Sequence, residues 1–106
     1  MAKYLVQFSY TGEGLQGLLK EGGSKRREAT RQLIESLGGK MESYYFSFGD
    51  YDGFVIVDGL DNIGVIAAAM ISSASGAVKT KTTVLLTCEE VDQATKKQGD
   101  YRPPGK

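Results

Sequence analysis

The sequence predicts an α+β protein with the ferredoxin-like order βαββαβ: a four-stranded antiparallel sheet with two helices on one face, followed by a short C-terminal helix. Four segments have the alternation or apolar content of strands, and two longer segments have the stripe of an amphipathic helix. The second and third strands are joined too closely for anything but an antiparallel hairpin. The 106-residue chain has room for one core, so we predict a domain over residues 1–98 and a flexible tail over 99–106.

The N-terminal part of the chain predicts one strand and one long helix. One parity of the strand is aromatic or aliphatic: Tyr4, Val6, Phe8 and Tyr10. The run 11–14 ends this alternation, and the leucines after it predict only a turn or two of helix because Gly22 and Gly23 interrupt them. Ser24 then offers an N-cap hydroxyl to the long helix, which Gly38 ends. The apolar stripe of this helix is formed by Ala29, Leu33, Ile34 and Leu37.

The middle of the chain predicts a hairpin and a second long helix. The hairpin strands run over 41–48 and from Tyr51 or Asp52 to Asp58, with the turn between them. Asp61 or Asn62 caps the helix and Gly76 ends it. The apolar stripe of this helix comprises Ile63, Ile66, Ala67, Met70, Ile71 and Ala74. A fourth strand over 77–88 and a short polar helix over 89–98 complete the order.

The predicted sheet has more apolar surface than two helices can cover. Tyr44, Phe46 and Phe48 have the opposite parity to Tyr45, so aromatic side chains are expected on both faces. An apolar face rarely stays exposed to water. We therefore predict a homodimer, or a higher homo-oligomer, in which two sheets pack back to back.

Composition excludes several classes of function. Thirteen basic and thirteen acidic residues leave no net charge to attract nucleic acid, and no apolar run is long enough to span a membrane. Histidine is absent and Cys88 is the single cysteine, which excludes structural zinc sites, imidazole bases and haem held by histidine. A cation site of carboxylates alone stays open, but we expect no metal and no cofactor. Without a signal peptide or a disulfide, we expect a cytoplasmic protein in which Cys88 is a small buried apolar residue.

Four short motifs resemble the GYD domain family, which is named for a Gly-Tyr-Asp pattern. In chain order they are Tyr10-Thr11-x-x-Gly14, Leu37-Gly38-Gly39-Lys40, Tyr45-x-x-x-Gly49-x-Tyr51-Asp52 and Gly76-x-Val78-x-Thr80. The resemblance spans roughly residues 3 to 97 and implies a fold of the dimeric α/β barrel class. It implies no activity, because the family is known mainly through proteins of unknown function and the fold hosts many chemistries.

The turn at residues 49–52 has two interpretations. In the structural one, Gly49 permits the turn, Tyr51 packs on a neighbouring strand and Asp52 accepts hydrogen bonds from nearby backbone amides. In the functional one, Tyr51 and Asp52 lie at the mouth of a cleft between sheet and helices and bind a polar ligand, with Asp52 as a possible base.

Further candidate ligand-binding residues lie on three other segments. Tyr10 and Thr11 precede a glycine-containing loop, although that loop lacks the Gly-Lys-Ser/Thr of a phosphate-binding motif. Arg27 starts the first long helix, where one arginine could turn inward to meet Asp52 or a ligand, or all could lie on a solvated face paired with Glu35. Tyr45 lies on the aromatic second strand.

The sequence leaves the function between two main hypotheses. The leading one is a dimeric small-molecule-binding or regulatory domain without established catalysis. The alternative is a small cofactor-independent enzyme, oxygenase- or isomerase-like, with a pocket at Tyr51 and Asp52. A structural or regulatory subunit whose ligand is another protein is a third class. The sequence does not decide whether the chain is an enzyme.

Overall fold

A computed structural model describes residues 2–106 as four strands and four helices. In chain order they are β1 Lys3–Tyr10, α1 Gly12–Glu21, α2 Gly23–Ser36, β2 Lys40–Phe46, β3 Gly53–Asp58, α3 Asn62–Ala74, β4 Val78–Leu85 and α4 Cys88–Thr95. The predicted order of strands and long helices is confirmed. The ends of the hairpin strands and of β4 were predicted too long, because the chain leaves the sheet to form the turn and the arm that follows β4.

The first helix is longer than predicted. α1 has ten residues and begins at an N-cap, Thr11, whose hydroxyl accepts the Gly14 amide at 3.2 Å. Gly22, at φ 87°, ends α1 and also precedes α2, which starts without a side-chain cap. The prediction that Ser24 caps α2 is therefore wrong: the glycine bend joins two helices directly instead of forming a loop.

All strands of the sheet are antiparallel, in the order β2-β3-β1-β4. β1 is central, and its Val6 lies between Val55 of β3 and Thr82 of β4. A bulge in β2 falls between Met41 and Ser43. A bulge of one residue changes which side chains face which side of the sheet.

Helices α1, α2 and α3 lie on one face of the sheet. Seven apolar residues are buried between the layers: Tyr4, Phe8, Ile34, Val55, Val57, Leu60 and Val65. Tyr44 packs against this core and Phe46 lies against Phe8, so both face the helices. The prediction that placed them on the uncovered face is wrong, because the bulge in β2 reverses the parity of the residues after it. Tyr45 faces the other way and stacks beside Phe54 at 5.8 Å.

Helix α3 presents its small residues to the sheet. Asp61 is its N-cap and accepts the Gly64 amide at 2.8 Å, as the sequence predicts. Val65 is buried, and the next turns face inward with alanine and serine. The larger members of the predicted stripe are exposed: Ile63, Ile66, Met70 and Ile71. The moment of this helix is weak because almost every position is apolar, so the sequence could not orient it.

The C-terminal part of the chain extends away from the body. α4 starts soon after β4, and residues 86–106 are all exposed. Cys88 is exposed with them, so the prediction that it is buried is wrong. The radius of gyration is 17.1 Å, against about 13 Å for a compact chain of this length. None of the helices within residues 2–106 is long and apolar enough to cross a membrane.

Candidate functional site

A cavity of about 430 Å³ lies between the sheet and helices α1, α2 and α3. It exists because the helices face the sheet with small side chains, which leave the space between the layers unfilled. Those residues are Gly14, Gly17, Ala29, Ala68, Ala69 and Ser72. The sheet side is mainly apolar, with Val6, Phe8, Val55 and Val78. The volume is within the range of small-molecule sites.

Gly14 fixes how closely α1 approaches the sheet. The Thr11 amide donates to the Ala77 carbonyl at 3.0 Å, and the Thr11 hydroxyl donates to the Gly76 carbonyl at 2.8 Å. A Cβ atom at Gly14 would lie 2.0 Å from the Ala77 carbonyl oxygen. Only glycine fits here, so the start of α1 closes one end of the cavity against the chain that enters β4.

Four polar side chains contribute to the cavity wall from neighbouring elements: Tyr10, Arg26, Thr30 and Tyr44. Burial raises the pKa of the Tyr44 phenol, and its hydrogen bonding with Tyr10 acts in the same direction. Hydrogen bonding with Thr30 and the charge of Arg26 act against this rise, so all three groups are close to the phenol. We call these four residues the polar cluster.

Aromatic rings connect the polar cluster to the core. The Phe8 ring lies 5.5 Å from Tyr10, 5.4 Å from Tyr44 and 6.1 Å from Phe46, between ring centroids. Gly53 makes room for this ring, since a Cβ there would lie 2.4 Å from Phe8 Cζ. The two phenols are therefore held by a packed aromatic wall and keep a fixed place at the cavity.

The turn at residues 49–52 is tied to the end of β1. The Asp52 carboxylate accepts the Tyr10 amide at 2.7 Å, and the Asp52 amide donates to the Phe8 carbonyl at 2.8 Å. Gly49 has a φ of 95°, a conformation that glycine adopts without strain. In this geometry Asp52 makes the backbone hydrogen bond of the structural interpretation. Its position also fixes the backbone of Tyr10, whose ring lines the cavity.

Of the residues predicted for a site, the cavity includes only Tyr10. Thr11 caps α1, while Tyr51 and Asp52 lie in the turn outside the lining. Arg27 is exposed on α2, and Tyr45 is 62% exposed on the open face of the sheet.

Sequence reasoning missed three members of the polar cluster: Arg26, Thr30 and Tyr44. The first two had a signal, because they continue the apolar stripe of α2 through Leu33 at helical spacing. Arg26 is thus the inward-turning arginine, and its neighbour Arg27 is not. Arg31 pairs with Glu28 and with Glu35 on the solvated face. Tyr44 had no signal, since its facing depends on the bulge.

The cavity offers hydrogen bonds and one guanidinium charge, and it offers no clear set of metal ligands. Across residues 2–106, no three acidic or cysteine side chains converge into a group that could hold a metal ion. The carboxylates that line the cavity, Glu13 and Glu21, both belong to α1 and are exposed. The arrangement is suited to binding an apolar body and a polar end.

Comparison with protein families gives one match: the family described as GYD domain matches residues 4–95. The match covers every strand, α1 to α3 and all of α4, so it takes in both the turn at residues 49–52 and the cavity. Comparison with curated proteins and with solved structures gives no match.

Proposed function

We propose that the chain, which belongs to the GYD domain family, is a small-molecule-binding domain whose ligand occupies the cavity between sheet and helices. The cavity itself carries the proposal. A space of about 430 Å³ in the middle of a small domain costs stability, because the side chains around it lose packing contacts. A bound molecule would recover those contacts.

The lining favours a ligand with an apolar body and one polar end. The body would contact the valine and phenylalanine side chains of the sheet, and the polar end would reach the phenols of Tyr10 and Tyr44. Arg26 forms no salt bridge with any residue in the part of the chain that the structure describes. Its guanidinium is therefore available to a carboxylate or another acceptor on the ligand.

We also propose that the chain forms a homodimer through the open face of the sheet, within a ferredoxin-like fold. The order β2-β3-β1-β4, followed from its other edge, is β4-β1-β3-β2, which supports this assignment. The open face carries Leu5, Tyr45, Phe54 and Ile56 beside polar residues, which supports sheet-to-sheet packing.

The alternative is a cofactor-independent oxygenase- or isomerase-like enzyme at Tyr51 and Asp52. One observation keeps it in view: Asp52 holds the backbone of Tyr10, whose phenol lines the cavity. In that case Tyr10 would contact the substrate and the turn would only position it.

Thermal denaturation with a panel of small carboxylic acids, phenols and alcohols tests the binding proposal. We expect at least one compound to raise the Tm, because a molecule bound only by the folded state stabilises it. Ala69→Leu fills part of the cavity and should abolish that increase, whereas Ala74→Leu, on the exposed side of α3, should retain it. The proposal fails if no compound raises the Tm, or if both variants respond alike. A binder that the protein also consumes would favour the enzyme.

A further inference from the structure

The C-terminal arm, residues 86–106, is an ordered element without cover. Its helix α4 packs extensively against no other described element, and Leu86 and Val91 are 64% and 47% exposed. The arm accounts for the elongated shape of the chain, 58 Å by 33 Å by 22 Å. An eight-residue helix is too short to be stable alone in water. Packing against another surface would supply the missing stability.

A capping box fixes the direction in which the arm leaves the body. The Thr87 amide donates to the Glu90 carboxylate at 2.9 Å, and the Glu90 amide donates to the Thr87 hydroxyl at 3.1 Å. These two hydrogen bonds also hold the pKa of Glu90 below its usual range. Only Leu86 and Thr87 separate β4 from α4. Folding the arm back onto its own body would therefore break the cap.

An apolar patch lies at the root of the arm. It is formed by the outward residues of α3, Ile63, Ile66 and Met70, and by Val84 near the end of β4. All four are more than half exposed, and a groove between α3 and β4 includes Ile66 and Val84. An exposed patch of this kind marks an interaction surface.

We propose that the C-terminal arm of one copy docks on this apolar patch of a second copy, and that the exchange is reciprocal. Arm and patch are each apolar, exposed and carried by the same chain, which is what a two-fold interface requires. Their charges are also complementary. α4 carries Glu89, Glu90 and Asp92 with no basic residue, whereas β4 beside the patch carries exposed Lys79 and Lys81 with no acidic one. This contact is independent of ligand binding in the cavity.

Analytical ultracentrifugation of the full chain, with two point variants and a control, tests the exchange. We expect the wild type to be a dimer, and Val91→Asp on the arm or Ile66→Asp on the patch to raise its dissociation constant at least about tenfold. Gln93→Asp adds the same charge to another side of α4 and should leave the dimer intact. Circular dichroism establishes that each variant is folded.

Mixing the two variants gives a sharper result. A pair of one Val91→Asp chain and one Ile66→Asp chain retains one unaltered arm-to-patch contact, so the mixture should form more dimer than either variant alone. The proposal is overturned if the wild type is a monomer, or if Val91→Asp and Ile66→Asp leave the dissociation constant unchanged. It is also overturned if mixing restores nothing. A dimer that survives both variants but is lost in Tyr45→Asp would instead be held by the open face of the sheet.

Discussion

Replacing Gly14 and Gly17 separately by alanine should change stability in opposite directions, although both lie in α1. At Gly14 a Cβ would be 2.0 Å from the Ala77 carbonyl oxygen, whereas Cβ atoms essentially never approach other atoms within 3.0 Å. The helix or the start of β4 must therefore move by about 1 Å, a shift of the size that overpacking forces on a packed site. That shift would strain the hydrogen bond from the Thr11 amide to Ala77.

The magnitudes follow from these two sites. Overpacking costs about 1–3 kcal/mol, and the alanine recovers up to about 1 kcal/mol through its helix propensity, so Gly14→Ala should lose about 1–2 kcal/mol. A Cβ at Gly17 meets nothing within 4 Å, so Gly17→Ala should gain about 0.4–1 kcal/mol. Each kcal/mol corresponds to roughly 4–8 °C in Tm for a domain of this size.

Urea denaturation followed by circular dichroism measures both free energies of unfolding under the same conditions. Gly17→Ala is the control, since it makes the same chemical change in the same helix. Equal stability of the two variants would refute the close approach of α1 to Ala77. A fall in both would show that α1 is not helical over this stretch. A changed slope against urea would indicate an altered compactness rather than a local clash.

Three further predictions concern the turn, the polar cluster and the arm. Asp52→Ala should lower the free energy of unfolding by about 1–3 kcal/mol in urea denaturation, because the Tyr10 amide loses a charged acceptor, and Asp52→Asn should lose less. The folded-state pKa of Tyr44 is raised, so its contribution to stability is complete below pH 10 and falls as the pH rises above it; stability curves from pH 8 to 11 should be flatter in Tyr44→Phe. Thr87→Ala should speed amide exchange across α4, measured by NMR, and leave global unfolding unchanged.

The strands and long helices could be predicted because their signals are local. The alternation from Tyr4 to Tyr10 encodes a half-buried strand, and Asp61 and Gly76 delimit α3 with a cap and a positive φ. The length of α1 could not be predicted in the same way. Its glycines read as a break, yet Gly14 is required by a contact with Ala77, 63 positions along the chain.

The site was harder to predict than the fold because it depends on orientation. Tyr44 and Tyr45 are neighbours of the same type, and only the bulge after Met41 decides which of them faces the cavity. Arg26 and Arg27 differ by one position of a helix, a rotation of about 100°. Their positions relative to Leu33 contained the answer for Arg26, because helical spacing places both on one face.

The turn at residues 49–52 and the cavity are parts of one arrangement. Asp52 accepts the amide of Tyr10 and donates its own amide to Phe8, so it holds two consecutive inward-facing residues of β1. Those residues provide the ring and the phenol at the polar end of the cavity. A carboxylate in this role needs no contact with a ligand to affect binding. Loss of Asp52 would then weaken ligand binding only as far as Tyr10 moves, whereas loss of the Tyr10 phenol would weaken it with the backbone in place. The ratio of those two effects separates a positioning residue from one that binds the ligand.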